Sequence, residues 1–257
     1  MLEIATNAAL KASKKIMQIY SWDFEVEIKE DNSPITIADK IANEIIIKEL
    51  EKTNIKILSE EEKDDLNRLD NKYLWIIDPI DWTKDFINKT WEFSIMIWLI
   101  KNWEPILWVV YAPATNKLYF AEKWKGSFLE INWKTQKLKV NPDNNKILIS
   151  RNHTTDIELK LIKELWLEAI PCWSIWVKFW LIAEWLAWNY LNLSRYLKEW
   201  DSCAPEIILS EAWWKITDTL WNKLTYNNKL VNLENGCIGT NGVNHNKILN
   251  KLKIKND

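Results

Sequence analysis

Tyr73-Leu74-Trp75-Ile76-Ile77-Asp78-Pro79-Ile80-Asp81-Trp82-Thr83 joins an apolar run to two carboxylates and a hydroxyl. Tyr73 to Ile77 are enough for a buried strand. Pro79 offers no N–H to a ladder and fits no helix interior, so the strand is read over residues 73–77. Two acids at the end of a buried strand cannot both ionise cheaply without a counter-charge. A hard divalent cation, which prefers oxygen ligands, is the simplest partner. Local sequence also allows Asp78 and Asp81 to be caps of a following helix. Trp82 stands where a tight turn needs a residue without a side chain.

The chain has 257 residues, enough for one large domain or two layered subdomains. Apolar residues make up 47% and charged residues 27%, as in an ordinary globule. A formal net charge of −2 gives no electrostatic support to binding a nucleic-acid polymer. No apolar run reaches the length of a membrane span, and residues 1–20 do not read as a secretory leader. Cys172, Cys203 and Cys237 are odd in number and widely spaced, which argues against a disulfide framework and a zinc site. A reducing cytoplasm is the expected compartment.

Tryptophan is the anomaly, with 19 Trp and 4 Gly where average usage predicts roughly 18 Gly. The Trp residues also occupy glycine places. Asn102-Trp103 and Asn132-Trp133 break strand-like runs where Asn-Gly is the usual hairpin turn. Trp22 and the pair Trp213-Trp214 follow helical stretches where a C-terminal glycine belongs, and Trp221-Asn222 marks a further turn. An indole does not cheaply take the φ > 0 conformations such sites use. All Trp except Trp75 and Trp200 are therefore read as positions where UGA codes for glycine in the source. A Trp-rich ligand-binding surface is the alternative, and it leaves the missing glycines unexplained.

Outward from the central stretch, apolar spacing predicts an amphipathic helix over Leu2 to Ile19 and a second over Ile37 to Lys52, capped by Thr36. Asp39 lies in the first turn of the second helix, where a favourable interaction with the helix dipole is sufficient reason for an acid. Ile55 to Leu58 reads as a strand that runs into Ser59, Glu60, Glu61 and Glu62. Four strands, Phe93 to Ile100, Ile106 to Tyr111, Leu118 to Ala121 and Ser127 to Ile131, form an expected antiparallel meander. The polar stretch 141–145 marks a boundary between residues 1–141, an α+β subdomain carrying the acids, and residues 142–257, an α/β subdomain. In the latter, strands at Ile147 to Ser150, near Tyr190 and at Ile238 to Thr240 alternate with helices at Asp156 to Leu165, Ser174 to Trp185 and the C-terminus. Asp201 is expected to open another helix, again with capping as the plain reading. The alternation predicts a layered α/β arrangement.

Glu60, Asp78, Asp81 and Asp201 all stand at element ends. An oxygen-only ligand set points to Mg²⁺ rather than Zn²⁺, and Mg²⁺ on a few carboxylates suits transfer of a phosphoryl group to water.

With Trp read as glycine, residues 75–83 resemble the W-x-x-D-P-x-D-G-T motif of the inositol monophosphatase superfamily. Leu58 to Glu61 resembles its L-S-E-E motif, and Trp200 to Ala204 its W-D-x-x-A motif. The order and spacing match over nearly the whole chain. The resemblance implies a layered αβαβα sandwich and a Mg²⁺-dependent, lithium-sensitive phosphatase. It also implies metal ligation by Glu60, Asp78, the Ile80 carbonyl, Asp81 and Asp201. Asp39 and Thr83 would activate water alongside Glu60, and the backbone N–H groups of Trp82 and Thr83 would hold phosphate. Substrate would lie against Glu60, Ile80, Asp81, Trp82, Thr83 and Asp201.

Within the superfamily, Lys29 to Asp39 resembles the K-x-D-N-S-P-V-T-x-A-D segment of the 3′(2′),5′-bisphosphate nucleotidases. Glu92 to Ile95, Ser150 to His153 and Trp173 to Phe179 are similar to their E-F-S/T-V/I, S-R-x-H and G-S-x-x-x-K-F segments. The implied substrate is adenosine 3′,5′-bisphosphate, losing its 3′-phosphate, with Ser174 and Lys178 as nucleotide contacts and Arg151, His153 and Arg195 as further candidates. An inositol or sugar phosphatase is the alternative within the class, and a non-catalytic Trp-rich binding protein the alternative outside it. Beyond the small phosphate ester, the expected partners exclude membranes and leave room for a homodimer.

Overall fold

The computed structural model describes residues 1–30, 33–138, 145–150, 154–172, 189–193, 197–202, 206, 211, 215–240 and 244–253. Two helices form the outermost layer, α1 (Leu2–Tyr20) and α2 (Ile37–Leu50), with a two-stranded ribbon, β1 (Val26–Ile28) and β2 (Pro34–Thr36), between them. Ala5, Ala8, Ala9 and Ala12 are fully buried along α1. This small-residue face lets the helix lie close to its neighbours. Thr36 caps α2: its Oγ1 accepts from the Ala38 N–H at 3.1 Å, and its own N–H donates to Asp39 Oδ2 at 2.7 Å. That reciprocal pair satisfies two otherwise orphaned donors.

Beneath the helices lies a seven-stranded sheet in sequence order: β3 (Lys56–Ser59), β4 (Tyr73–Asp81), β5 (Ser94–Lys101), β6 (Glu104–Ala112), β7 (Lys117–Glu122), β8 (Gly126–Ile131) and β9 (Lys134–Lys137). Only β3 and β4 are parallel; from β4 onward the sheet is the expected antiparallel meander. Because strand side chains alternate, Trp75 and Ile77 of β4 join the core under α1 and α2. Leu74 and Ile76 join a second core on the opposite face. That second core also takes Leu148, Tyr190 and Cys237 from a five-stranded sheet. Its order is β11 (Glu168–Cys172), β10 (Lys146–Ser150), β12 (Asn189–Asn192), β14 (Cys237–Thr240), β13 (Lys215–Thr217). The far face of this sheet packs Ile147, Ile149, Leu191 and Ile238 against α4 (Asp156–Glu164) and α5 (His245–Lys253). The result is a layered α/β sandwich. No helix among the described residues is long and apolar enough to cross a membrane.

Four details depart from the sequence reading. Strand β4 does not stop at Ile77 but continues to Asp81 through a register irregularity between Asp78 and Asp81; a bulge accommodates the proline that a regular ladder would not. Strands β2, β9, β11 and β13 were not anticipated. β9 is exposed and wholly polar, and β11 carries Pro171 on a sheet edge. Residues 199–202 are helical, so Asp201 lies within a first turn rather than opening it. Trp22 is not left-handed, because α1 closes with a right-handed Ser21. The boundary stretch (apart from Asn145), the helix expected over Ser174 to Trp185 and the Trp213-Trp214 turn lie outside the described residues.

The predicted turn positions are reproduced in the backbone. Asn102 and Trp103 have φ of 50° and 65°, and Asn132 and Trp133 have 50° and 64°. This is the two-residue pattern of a type I′ hairpin. Trp82, Trp91, Trp124, Trp166 and Trp221 are also left-handed. Holding a bulky residue there costs about 1–3 kcal/mol. The seven Trp named in these turns together cost roughly as much as the ~5–15 kcal/mol by which a whole domain is stable.

Candidate functional site

The end of β4 builds the centre of the site. Residues three apart on a regular strand face opposite ways, yet carboxylate oxygens of Asp78, Asp81 and Asp201 lie within 4.8 Å of one another. The bulge supplies the change of phase. Both β4 acids are almost completely buried, at 2% and 5% exposure, and Asp78 Oδ1 has no hydrogen-bond partner among the described residues. An orphaned carboxyl oxygen in a buried, all-carboxylate cluster is the environment a hard cation satisfies. Asp201 reaches the cluster from the other half of the chain. Its Oδ2 accepts from the Lys198 N–H at 2.8 Å, so from inside the first turn it reaches back to the helix start instead of opening the helix as the sequence reading had it, and it also takes a place in the cluster.

Glu60 follows β3 directly. Its N–H donates to the Ile77 carbonyl at 3.1 Å, which pins the acidic turn beside the end of β4. Burial pushes the Asp78 carboxyl well above the usual carboxylate range, and the charges of Glu60 and Asp81 push it the same way. Glu60 is raised too, by burial first, with Lys29 opposing and the Asp201 charge adding. Lys29 was missed as a site residue. It pairs with Glu61 at 2.6 Å. Desolvation pulls its pKa down, but Glu60, Glu61 and Asp78 together hold it above the ordinary lysine value. Among the described residues, Lys29 is thus a built-in counter-charge for the cluster. Its position at the head of the Lys29 to Asp39 segment was the available signal.

Past the bulge, Trp82 adopts φ 65°, ψ 56° and caps α3 (Thr83–Ile87). Its carbonyl accepts from the N–H groups of Asp85 at 2.8 Å and Phe86 at 3.2 Å. The Thr83 hydroxyl has one proton and two acceptors in reach: Asp39 Oδ1 at 3.0 Å and the Ile80 carbonyl at 3.3 Å. The carboxylate is nearer and charged, and it takes the stronger bond. Asp39 is wholly buried. Burial raises its carboxyl from 3.8 to about 6, against the lowering effect of the Thr36 hydrogen bonds.

Glu60, Asp78, Ile80, Asp81, Thr83 and Asp201 line one cleft of about 200 Å³, with Trp82 and Lys84 on its wall. The structure therefore brings together Asp39, Glu60, Asp78, Ile80, Asp81, Trp82, Thr83 and Asp201. Ser174 and Lys178, like Arg151, His153 and Arg195, lie outside the described residues.

A model of the inositol monophosphatase family matches residues 1–256. The chain belongs to that family. Among curated relatives it is similar to a 3′(2′),5′-bisphosphate nucleotidase CysQ of Haemophilus influenzae, with 33% identity over 86% of this chain and 85% of the relative. The CysQ of Buchnera aphidicola is 35% identical over 88% and 87%. Among solved structures, CysQ from Bacteroides thetaiotaomicron superposes with a TM-score of 0.80 at 32% identity, covering 93% of this chain and 96% of that one.

Proposed function

We propose that this phosphatase of the inositol monophosphatase family uses Mg²⁺ to remove the 3′-phosphate of adenosine 3′,5′-bisphosphate. The observation that carries the reading is the convergence of Asp78, Asp81 and Asp201 in the cleft whose wall holds the Thr83–Asp39 pair. The resemblance of Lys29 to Asp39 to the nucleotidases and the identity to the CysQ relatives support the nucleotide over inositol or sugar phosphates.

Glu60, Asp78, Asp81, Asp201 and the Ile80 carbonyl are the ligand set in this reading. The bound ion supplies charge neutralisation on the phosphate and acidifies the attacking water. The chain's own groups do the rest. Asp39, ionised, draws the Thr83 proton toward itself and leaves the hydroxyl oxygen free to accept a proton from water. The backbone N–H groups of residues 82 and 83 contact phosphate oxygens. Lys29 offsets the surplus acid charge while the cleft is empty.

The test is phosphate release from adenosine 3′,5′-bisphosphate, inositol 1-phosphate and fructose 1,6-bisphosphate, each with and without Mg²⁺. Mg²⁺-dependent preference for the nucleotide is expected. A clear preference for inositol 1-phosphate sinks the substrate assignment, and full activity after chelation sinks the metal assignment.

A further inference from the structure

Outside the cleft, a buried polar chain joins the two halves of the fold. Arg68, 2% exposed, lies in the loop between Glu60 and β4. Its guanidinium donates twice to Asp64 Oδ2, at 3.0 and 2.7 Å. It also donates to Asn227 Oδ1 at 2.7 Å and to the Asn228 carbonyl at 2.9 Å. Asn227 returns its amide to the Arg68 carbonyl at 3.2 Å. Both asparagines then donate N–H groups to Glu199, Asn227 at 2.9 Å and Asn228 at 2.8 Å, and the Asn228 side chain adds a third bond at 2.9 Å. Glu199 is fully buried and stands two residues before Asp201.

We propose that Arg68, Asn227 and Glu199 are positioning residues that fix where Asp201 stands relative to the β4 acids. The chain runs from the loop that begins at Glu60 to the turn that carries Asp201. A planar guanidinium and a carboxylate accepting three N–H bonds leave little rotational freedom at either end. Cutting the chain frees the Asp201 turn without touching a ligand. This inference rests on the metal reading above.

The experiment is calorimetric titration of the metal-free protein with Mg²⁺, for the wild type, Arg68→Ala, Glu199→Gln and Asp201→Asn. Arg68→Ala should weaken Mg²⁺ binding by ~10–100-fold, the range for groups that support ligands, while kcat at saturating Mg²⁺ stays within a few fold. Glu199→Gln, which keeps the shape, covers the case in which Arg68→Ala does not fold, and should weaken binding in the same direction. Wild-type affinity in the folded variants overturns the positioning role. Unchanged affinity in Asp201→Asn overturns the metal reading itself, and the positioning role with it.

A second inference stands on the backbone. Trp82, Trp91, Trp103, Trp124, Trp133, Trp166 and Trp221 are all left-handed, a conformation that favours glycine. In the core, Trp98 and Trp108 face each other across β5 and β6, and neither indole N–H has a hydrogen-bond partner among the described residues. Trp75, equally buried, donates its indole N–H to Thr53 Oγ1 at 3.0 Å. Buried tryptophan normally finds such a partner, so Trp75 behaves as a tryptophan and the others do not. We infer that the protein made in its source carries glycine at these positions, Trp82 included, through UGA read as glycine.

The peptide Tyr73–Lys84, released by trypsin between Lys72 and Asp85, contains both kinds of residue. Tandem mass spectrometry of that peptide from the native protein should read tryptophan at 75 and glycine at 82. Tryptophan at both positions overturns the inference.

Discussion

The Thr83 hydroxyl donates to Asp39 Oδ1 over 3.0 Å, spanning 44 residues of sequence. The other oxygen of the same carboxylate accepts from the Thr36 N–H at 2.7 Å and the Thr36 hydroxyl at 2.6 Å. One buried acid therefore ties the start of α2 to the start of α3, and its ionisation decides whether Thr83 has a charged acceptor.

Activity should follow that ionisation. With a carboxyl raised to about 6, kcat is expected to fall as the pH drops below about 6. Asp39→Asn should lower kcat by ~100-fold or more, the usual worth of positioned proton transfer, and should flatten this limb of the profile. Thr83→Ser keeps the hydroxyl and should retain more activity than Thr83→Ala. A wild-type profile level from pH 5 to 8 contradicts this role.

Asp81→Asn keeps the size of the side chain and removes a charge from the cluster. A fall in kcat of at least ~100-fold is expected, because charge stabilisation by the ion is worth several kcal/mol. The fold should persist, since relieving like charges does not destabilise the metal-free protein. Near-normal turnover in saturating Mg²⁺ refutes the ligand role.

The metal-free protein should be more stable in mild acid than at pH 8. Asp78, Glu60 and Asp39 all have carboxyls raised by burial. A raised carboxyl gives stability that is complete below its unfolded value and lost as pH rises through its folded value. For Asp39, 3.8 raised to about 6 corresponds to about 3 kcal/mol. Mg²⁺ should reverse the trend by stabilising the ionised cluster. Scanning calorimetry at pH 5 and 8, with and without Mg²⁺, checks both signs. A metal-free Tm that rises from pH 5 to 8 is the contrary result.

Side-by-side preparations with Trp or Gly at every Trp position except 75 and 200 should differ sharply. The Gly form is expected to be soluble, cooperative in unfolding and active on adenosine 3′,5′-bisphosphate. The Trp form should be insoluble or inactive, given its left-handed indoles and the buried indole N–H groups of Trp98 and Trp108 that find no partner among the described residues. Activity and cooperative unfolding in the Trp form count against the glycine reading and favour a genuine Trp-rich surface.

Much of the fold was legible because its signals are local. Thr36 before a 3.6-residue apolar period gave α2, and alternating apolar residues separated by Asn-Trp turns gave the meander. Glu60, Asp78 and Asp81 could be picked out because they sit where apolar strands end, and Asp201 because it follows Trp200 in the segment that resembles W-D-x-x-A. The Lys29 counter-charge, the Thr83–Asp39 bond and the Arg68–Asn227–Glu199 chain were not read from spacing, because they are contacts between distant segments. Arg68 and Asn227, 159 residues apart, carry no periodic or motif signal. Strand β9 was missed because all four of its residues are exposed and polar.

The irregularity between Asp78 and Asp81 makes the site a matter of parity as well as composition. Asp78 and Asp81 share a side because one strand position there is surplus to the ladder. Paired regularly at their present spacing of three, Asp78 and Asp81 would turn to opposite faces, whereas deleting Pro79 would make the spacing even and let a regular ladder keep both on the cleft side. The odd spacing and the surplus position therefore belong together: losing the bulge at unchanged length splits the two acids, while a one-residue change in length keeps them together only if the bulge goes with it.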